Sequence, residues 1–321
     1  MKHLKVITIG KANQDVFLRG KIFKPVNDNG VLEEQFELGS KLVVDDVTFA
    51  TGGNAMNAAV TFRRQGLDTA ILCMLGTEPS GQAVMKVLDD EDIDTRYVVQ
   101  DERFETSYST VLLAPNGERT ILTYQGEHPH DNGWPFDLEA IEQADWLYIS
   151  SVGSMELLEK IITKAAEHNV QVAFNPGSRE LKEITKVKSL LEDIAVLIVN
   201  RKEMEAFVEG RTHEELVHRG LHLVPTVVVS DGPKGVIASD GVKLVKAGMY
   251  EDVKVVDRTG AGDAFGSGFV AMHAQGKTLE EAIVFASANS TSVVGQIGAT
   301  KGILAKHEIL HDMPLQVQEI I

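Results

Sequence analysis

At 321 residues, with 43% hydrophobic and 24% charged side chains, 28 Gly and 9 Pro, the chain has the composition of an enzyme-sized globular protein, which excludes collagen-like, low-complexity and disordered classes. Its 47 acidic against 31 basic side chains give a formal charge of −16. That charge repels polyanions at long range, so neither nucleic acid nor an anionic membrane is an expected partner and any phosphate site must be local.

The apolar run at 6–9 is too short for a signal-peptide core, and no stretch approaches the roughly 18 apolar residues of a membrane span. A cytoplasmic protein is expected. In chain order the pattern predicts a strand at 4–9, a helix at 55–65, a strand at 70–75 and a helix at 82–90. It continues with strand 146–149, helix 155–168, strand 170–174, helix 181–191, strand 195–199, helix 202–208 and strand 226–229, then two helices at 262–274 and 279–294. The strands are nearly continuous in apolar residues, as strands covered on both faces should be, and the alternation implies an α/β fold with a mainly parallel sheet. Cys73 lies within the apolar run 70–75, which predicts a packed thiol rather than a nucleophile.

Two regions break the alternation. Between 16 and 49, strand-like pieces at 16–18, 35–38, 41–44 and 47–49 are interrupted by Pro25, Asn29-Gly30 and Gly39, which predicts antiparallel hairpins. A second hairpin is predicted from 107–113 and 119–124, joined by Pro115-Asn116-Gly117. A small β lid at about 16–50 is expected, with 106–124 as a candidate second part of it.

In open parallel sheets ligands bind beyond the carboxyl ends of the strands. The candidates there are Asn13 and Asp15 after the first strand, then Gly52, Gly53, Asn54 and Asn57 at the first long helix. Further along come Asn175-Pro-Gly177, Asn200 with Glu203, Ser230 with Gly232 and Gly235, and Gly260-Ala261-Gly262-Asp263. The last opens directly into a helix, so its amides form an anion hole at the positive end of the helix dipole. Asp263 reads two ways from the residues alone: a base for a hydroxyl proton, or a charge that stabilises the helix start. Asn200 and Glu203 likewise read as a helix cap or as oxygen ligands that hold Mg²⁺ through its waters. His128, His130, His213, His218 and His222 lack metal-ligand spacing, and neither a P-loop nor a G-x-G-x-x-G loop is present.

In this order the segments resemble the ribokinase-like (PfkB) carbohydrate kinase family over about residues 5–302, nearly the whole chain. Residues 257–269 look like its C-terminal signature, which puts Asp263 at the catalytic-base position and Gly260, Ala261 and Gly262 at the anion hole. Gly52-Gly53-Asn54 with Asn57 looks like its substrate signature, and Asn13 and Asp15 match positions that grip sugar hydroxyls. Asn200 and Glu203 are similar to the magnesium motif, and Ser230, Gly232 and Gly235 to the nucleotide loop, with Ser where Thr is commoner. The segment 286–290, with Asn289 as candidate contact, is implied to lie near the adenine. At Asn54 ribokinase proper carries lysine, so ribose is not implied, and Arg258 stands where a small or hydroxylated residue is usual.

The resemblance implies one ribokinase-like domain over 1–321, a three-layer αβα sandwich with a β lid. It further implies ATP and Mg²⁺, with a monovalent cation as a further candidate, and a homodimer through the lid. The expected activity is transfer of the γ-phosphate of ATP to a primary hydroxyl of a sugar. The alternatives are a nucleoside kinase of the same family and a non-catalytic sugar-binding sensor on this fold.

Overall fold

The computed structural model describes residues 4–115, 118–126, 135–248, 250, 253–310 and 312–320. His128, His130 and the tip of the second predicted hairpin, 116–117, lie outside the described residues.

The chain opens with β1 (Lys5–Gly10), β2 (Asn13–Arg19), β3 (Val26–Asp28), β4 (Val31–Glu33), β5 (Asp46–Gly52) and α1 (Asn54–Arg64). Next come β6 (Asp68–Leu72), β7 (Met74–Leu75), α2 (Pro79–Asp90), β8 (Val99–Gln100), β9 (Ser107–Leu113) and β10 (Arg119–Tyr124). The middle holds β11 (Trp146–Ser150), α3 (Met155–Glu167), β12 (Gln171–Asn175), α4 (Ser178–Lys182), α5 (Ile184–Lys188), β13 (Val196–Asn200), α6 (Arg201–Phe207) and α7 (His213–Gly220). It ends with β14 (Thr226–Ser230), β15 (Val236–Ser239), β16 (Lys243–Ala247), α8 (Ala261–Ala274), α9 (Leu279–Val294) and β17 (Leu315–Glu319).

Nine strands form one sheet in the order β17-β16-β15-β14-β13-β12-β11-β1-β6, parallel from β14 to β6 and antiparallel beyond β14. The period of two along each strand sorts its residues onto two cores. Ile7, Ile9, Leu147, Ile149, Val172 and Phe174 point to one face, covered by α3, α5, α6 and α7. Val6, Trp146, Tyr148, Ala173 and Ile198 point to the other, covered by α1, α8 and α9. That is the three-layer arrangement expected of strands apolar on both faces. Each fully buried Ile, Leu or Phe contributes about 1.5–3 kcal/mol, so the sheet is the rigid base on which the strand ends are held. Cys73 is fully buried, and burial pushes its thiol pKa up to about 12, in keeping with a packed thiol.

A second sheet of four strands, β10-β9-β2-β5, joins both irregular regions into one unit. Three predictions are corrected here. The first region was expected to be purely antiparallel, yet β2 pairs β9 in parallel, because β9 arrives from a distant part of the chain rather than by a hairpin. Segments 35–38 and 41–44 are not strands; the hairpin forms instead at β3 and β4 around Asn29 and Gly30, both with positive φ, as such a turn requires. The predicted helix 181–191 is two short helices, α4 and α5. The sheet keeps exposed apolar side chains on and beside its outer strand β5, Val43 at 75% and Phe49 at 69%.

Candidate active site

The first strand end is shaped by close backbone approaches. After β1 the chain turns at Gly10, and Lys11 and Ala12 pass under Gly53, whose φ is 98° and where any Cβ would overlap the Lys11 carbonyl. Gly53 is therefore required both by its conformation and by this contact. The Lys11 carbonyl accepts the Ala55 amide at 3.1 Å, which docks the start of α1 on the loop. Beside it Asn13 Nδ2 donates to Asp15 Oδ1 at 2.6 Å, and the Asp15 carboxylate lies over Gly52, where a Cβ would collide with it. Asn13, Asp15, Gly52 and Gly53 are thus gathered as the sequence predicted. Asn54, at the first turn of α1, is half-buried and makes no side-chain hydrogen bond among the described residues.

Asp15 is only 5% exposed, and burial, the largest influence, raises its pKa to about 6 against the lowering hydrogen bonds of Ser109 and Asn13, with Asp257 repelling in the same direction as burial. A carboxyl with a raised folded pKa binds its proton more tightly in the folded state, so stability falls as pH rises from about 3.8 to about 6. Asp15→Asn is accordingly expected to raise the melting temperature at pH 7.5, by an amount equivalent to on the order of 2 kcal/mol, and to lose that advantage near pH 4. Thermal melts at the two pH values test this. An unchanged difference between them would show that the gain is not electrostatic.

From the other half of the chain, Gly260, φ 77°, caps the start of α8, with Gly262 exposed on its first turn. Among the described residues, the amides of Gly260 and Gly262 have no hydrogen bond outside the helix, and that of Ala261 reaches only the Arg258 carbonyl at 3.4 Å. These donors are available to an anion. Asp263 follows in the same turn, and Asn57 Nδ2 of α1 donates to its Oδ2 at 2.8 Å. Its pKa is raised by burial and partly restored by the Asn57 bond. Asn57 is 2% exposed, and its Oδ1 has no hydrogen-bond partner among the described residues. Gly266 and Gly268 let α8 lie close to its neighbours: a Cβ at Gly266 would stand 2.8 Å from the Tyr148 hydroxyl. Asp257, 1% exposed, braces the loop by accepting from the Thr259 amide at 3.0 Å and hydroxyl at 2.7 Å and from Gly298 N at 3.2 Å.

A largely apolar cavity of about 420 Å³ adjoins this loop, lined by Ser230, Gly232, Gly235, Gly262, Phe265 and Ser290 among others. Gly232 and Gly235 have φ of 53° and 92°, and a Cβ on Gly235 would overlap the Ala247 carbonyl. Ser287 and Ser290 of the expected segment 286–290 line the cavity, whereas pattern reasoning missed Tyr250, Val253, Val255, Thr291 and Val294. They belong to a loop of unremarkable composition and to one face of α9. Asn289 is corrected: it is fully buried, its Nδ2 donates to the Ala264 carbonyl at 2.8 Å and its Oδ1 accepts Leu304 N at 2.9 Å. It ties α8 to α9, while its neighbours Ser287, Ser290 and Thr291 face the cavity.

Asn200 and Glu203 form a complete capping box on α6: Asn200 Oδ1 accepts Glu203 N at 3.0 Å, and Glu203 Oε2 accepts Asn200 N at 2.8 Å. The cap reading is therefore realised. Glu203 Oε1 keeps no hydrogen bond among the described residues, and burial holds the carboxyl above its ordinary pKa. One free carboxylate oxygen suits contact with the water shell of a Mg²⁺ ion better than direct ligation. Among the described residues no group of three His, Cys, Asp or Glu could hold a metal by itself.

An α/β sheet with a glycine turn, a carboxylate at the start of a long helix and an adjoining apolar cavity suits phosphoryl transfer to a small molecule. The model of the pfkB family of carbohydrate kinases matches residues 25–306, and the chain belongs to that family. It is 27% identical to ribokinase of Bacillus subtilis over 264 residues, covering 80% of this chain and 86% of that one. It is 25% identical to a nucleoside kinase of Methanocaldococcus jannaschii over 248 residues, covering 76% and 78%. The fold matches Arabidopsis thaliana ribokinase complexed with ribose and ATP at a TM-score of 0.77 and 22% identity, over 95% of this chain and 97% of that one. The reaction class is ATP-dependent phosphotransfer, and among the described residues no helix is long and apolar enough to cross a membrane.

Proposed function

We propose that the chain moves the γ-phosphate of ATP to a primary hydroxyl of a sugar, with Asp263 as the base. The observation that carries this reading is the 2.8 Å bond from Asn57 to Asp263. It joins the acceptor-side helix to the glycine turn at the point where a hydroxyl would meet a phosphate. In this reading Asn13, Asp15, Asn54 and Asn57 orient the acceptor, the amides of Gly260, Ala261 and Gly262 neutralise charge on the transferring phosphoryl group, and Asp263 accepts the hydroxyl proton. The cavity at Ser230, Gly232 and Gly235 takes the nucleoside of ATP, which its apolar walls suit. Asn200 and Glu203 would hold a Mg²⁺ ion through its waters; when bound, the ion supplies positive charge to the phosphates. The four-stranded sheet is the lid, and its exposed Val43 and Phe49 are what lid closure or a second copy would cover. A cytoplasmic setting, where ATP is abundant, suits the reading.

A nucleoside acceptor would use the same base and loop, and a non-catalytic sensor would use neither. Release of ADP over a panel of sugars and nucleosides separates the three, sugar-dependent release being expected. In the same preparation Glu203→Gln is expected to raise the Mg²⁺ requirement severalfold with little change in melting temperature, because Gln can still complete the capping box. A lower melting temperature with an unchanged Mg²⁺ requirement would reduce Glu203 to a cap.

A further inference from the structure

A cavity of about 480 Å³ beside the acceptor residues is lined by Lys11, Ser107, Gln125, Ser151, Arg179 and Lys182 among others. It is continuous with the proposed grip: its wall includes Gly10, Lys11 and Ala12, which lead into Asn13, and Ser107, which stands opposite Asn13 in the β2–β9 register. It shares no lining residue with the cavity at Gly232 and Gly262.

Three cations converge on it from two strand ends, and none of them is ion-paired among the described residues. Lys11 Nζ donates to the Gln125 amide oxygen at 2.7 Å and Arg179 to the Gly153 carbonyl at 3.3 Å, both uncharged acceptors. Among the described residues Lys11, Arg179 and Lys182 form no ion pair. Burial and then the charge of Arg179 hold the Lys11 ammonium below its ordinary pKa, with Glu180 acting in the opposite direction. Glu180 is 1% exposed and spends its two oxygens on the amides of Gly153 at 2.6 Å and Gly177 at 3.0 Å. Glu156 and Glu183 line an adjoining groove that shares Gly153, Arg179 and Lys182 with this cavity, and each pairs with another lysine, Lys160 and Lys186.

A neutral polyol is held by hydroxyls, amides and single carboxylates and gains little from three cations. In a chain of charge −16, a local concentration of positive charge favours entry of an anion, and guanidinium and ammonium groups are the side chains that match phosphate and carboxylate. We propose that the acceptor is itself an anion, a sugar phosphate or sugar carboxylate, whose charged group is held by Lys11, Arg179 and Lys182. This rests on the kinase reading and names its substrate class.

The test compares kcat/KM with ATP and Mg²⁺ for three pairs, each member with a free primary hydroxyl: fructose and fructose 6-phosphate, ribose and ribose 1-phosphate, glucose and gluconate. At least one anionic member is expected to exceed its neutral partner by about 10- to 100-fold. The pair that responds tells phosphate from carboxylate. Arg179→Gln and Lys182→Gln should each lower that ratio about tenfold while thermal melts show intact folding. Neutral members used as well as anionic ones, or a ratio unchanged in both variants, would overturn the proposal and leave the kinase reading standing. A rise in ATP KM in the variants with no change in acceptor preference would also overturn it, assigning the cations to ATP. If no member releases ADP, the kinase reading is in question and calorimetric titration of the same pairs decides this one. Binding of an anionic member alone, weakened in the variants, supports it, and equal or absent binding overturns it.

Discussion

Asp263→Asn is expected to lower kcat by about 10²- to 10⁴-fold, the range for loss of a general base, in a protein that stays folded. Asn matches Asp in size and keeps an oxygen for the Asn57 bond, so the substitution removes the proton acceptor and little else. Stability gives an independent readout. The folded pKa of Asp263 is raised by burial, so its ionised form is destabilising above that pKa, and the Asn variant should melt higher at neutral pH, with the difference shrinking as pH falls. A carboxylate that merely served the helix dipole would give the opposite result, a loss of up to about 1 kcal/mol with near-normal turnover. In the wild type the base works only when ionised. The acid limb of the pH–rate profile should therefore lie above the ordinary aspartate value, and it should vanish from the residual activity of the variant.

The second large effect belongs to the glycine turn. Gly260 has a φ of 77°, and a Cβ there would overlap Ala299. Gly260→Ala has to carry a left-handed conformation costing roughly 1–2 kcal/mol and also displace the neighbouring chain. A lower melting temperature is expected, together with a kcat reduced by about 10²- to 10³-fold, as when one oxyanion donor is lost. Gly262 is the contrast, because a Cβ there meets nothing within 4 Å. Gly262→Ala should melt like the parent yet bind ATP more weakly, since its methyl group enters the space proposed for the phosphates. Equal kinetics for Gly262→Ala and the parent would move the phosphates elsewhere.

The parallel strands were legible because each is buried on both faces and so spells a continuous apolar run, as in Val227–Val229, all fully buried. The capping box at Asn200 and the glycine turn before α8 were legible because local spacing alone encodes them. Strands β15, β16 and β17 were not: Lys243–Ala247 and Leu315–Glu319 are short edge or near-edge strands with polar residues on the open face, and their pairing is decided by distant neighbours. The break in helix 181–191 falls next to Ile184 and Thr185, whose β-branched side chains are weak helix formers, although their spacing still mimics one helix. Asn289 was misplaced because a polar residue near a site reads the same whether it faces the ligand or braces two helices. The cluster escaped notice because Lys11 lies far in sequence from Arg179 and Lys182 and meets them only when β1 and β12, on either side of β11, align their carboxyl ends.

The Asn57–Asp263 bond joins residues 206 positions apart, and β1 is enclosed between β6 and β11 before α8 can pack on α1. Contacts of such long range form late, because the loops they close must be ordered first. During synthesis the acceptor grip can assemble on the early strands, but the base cannot reach its partner until residues beyond 263 have left the ribosome. A nascent chain should therefore gain ligand affinity before it gains the power to turn ligand over.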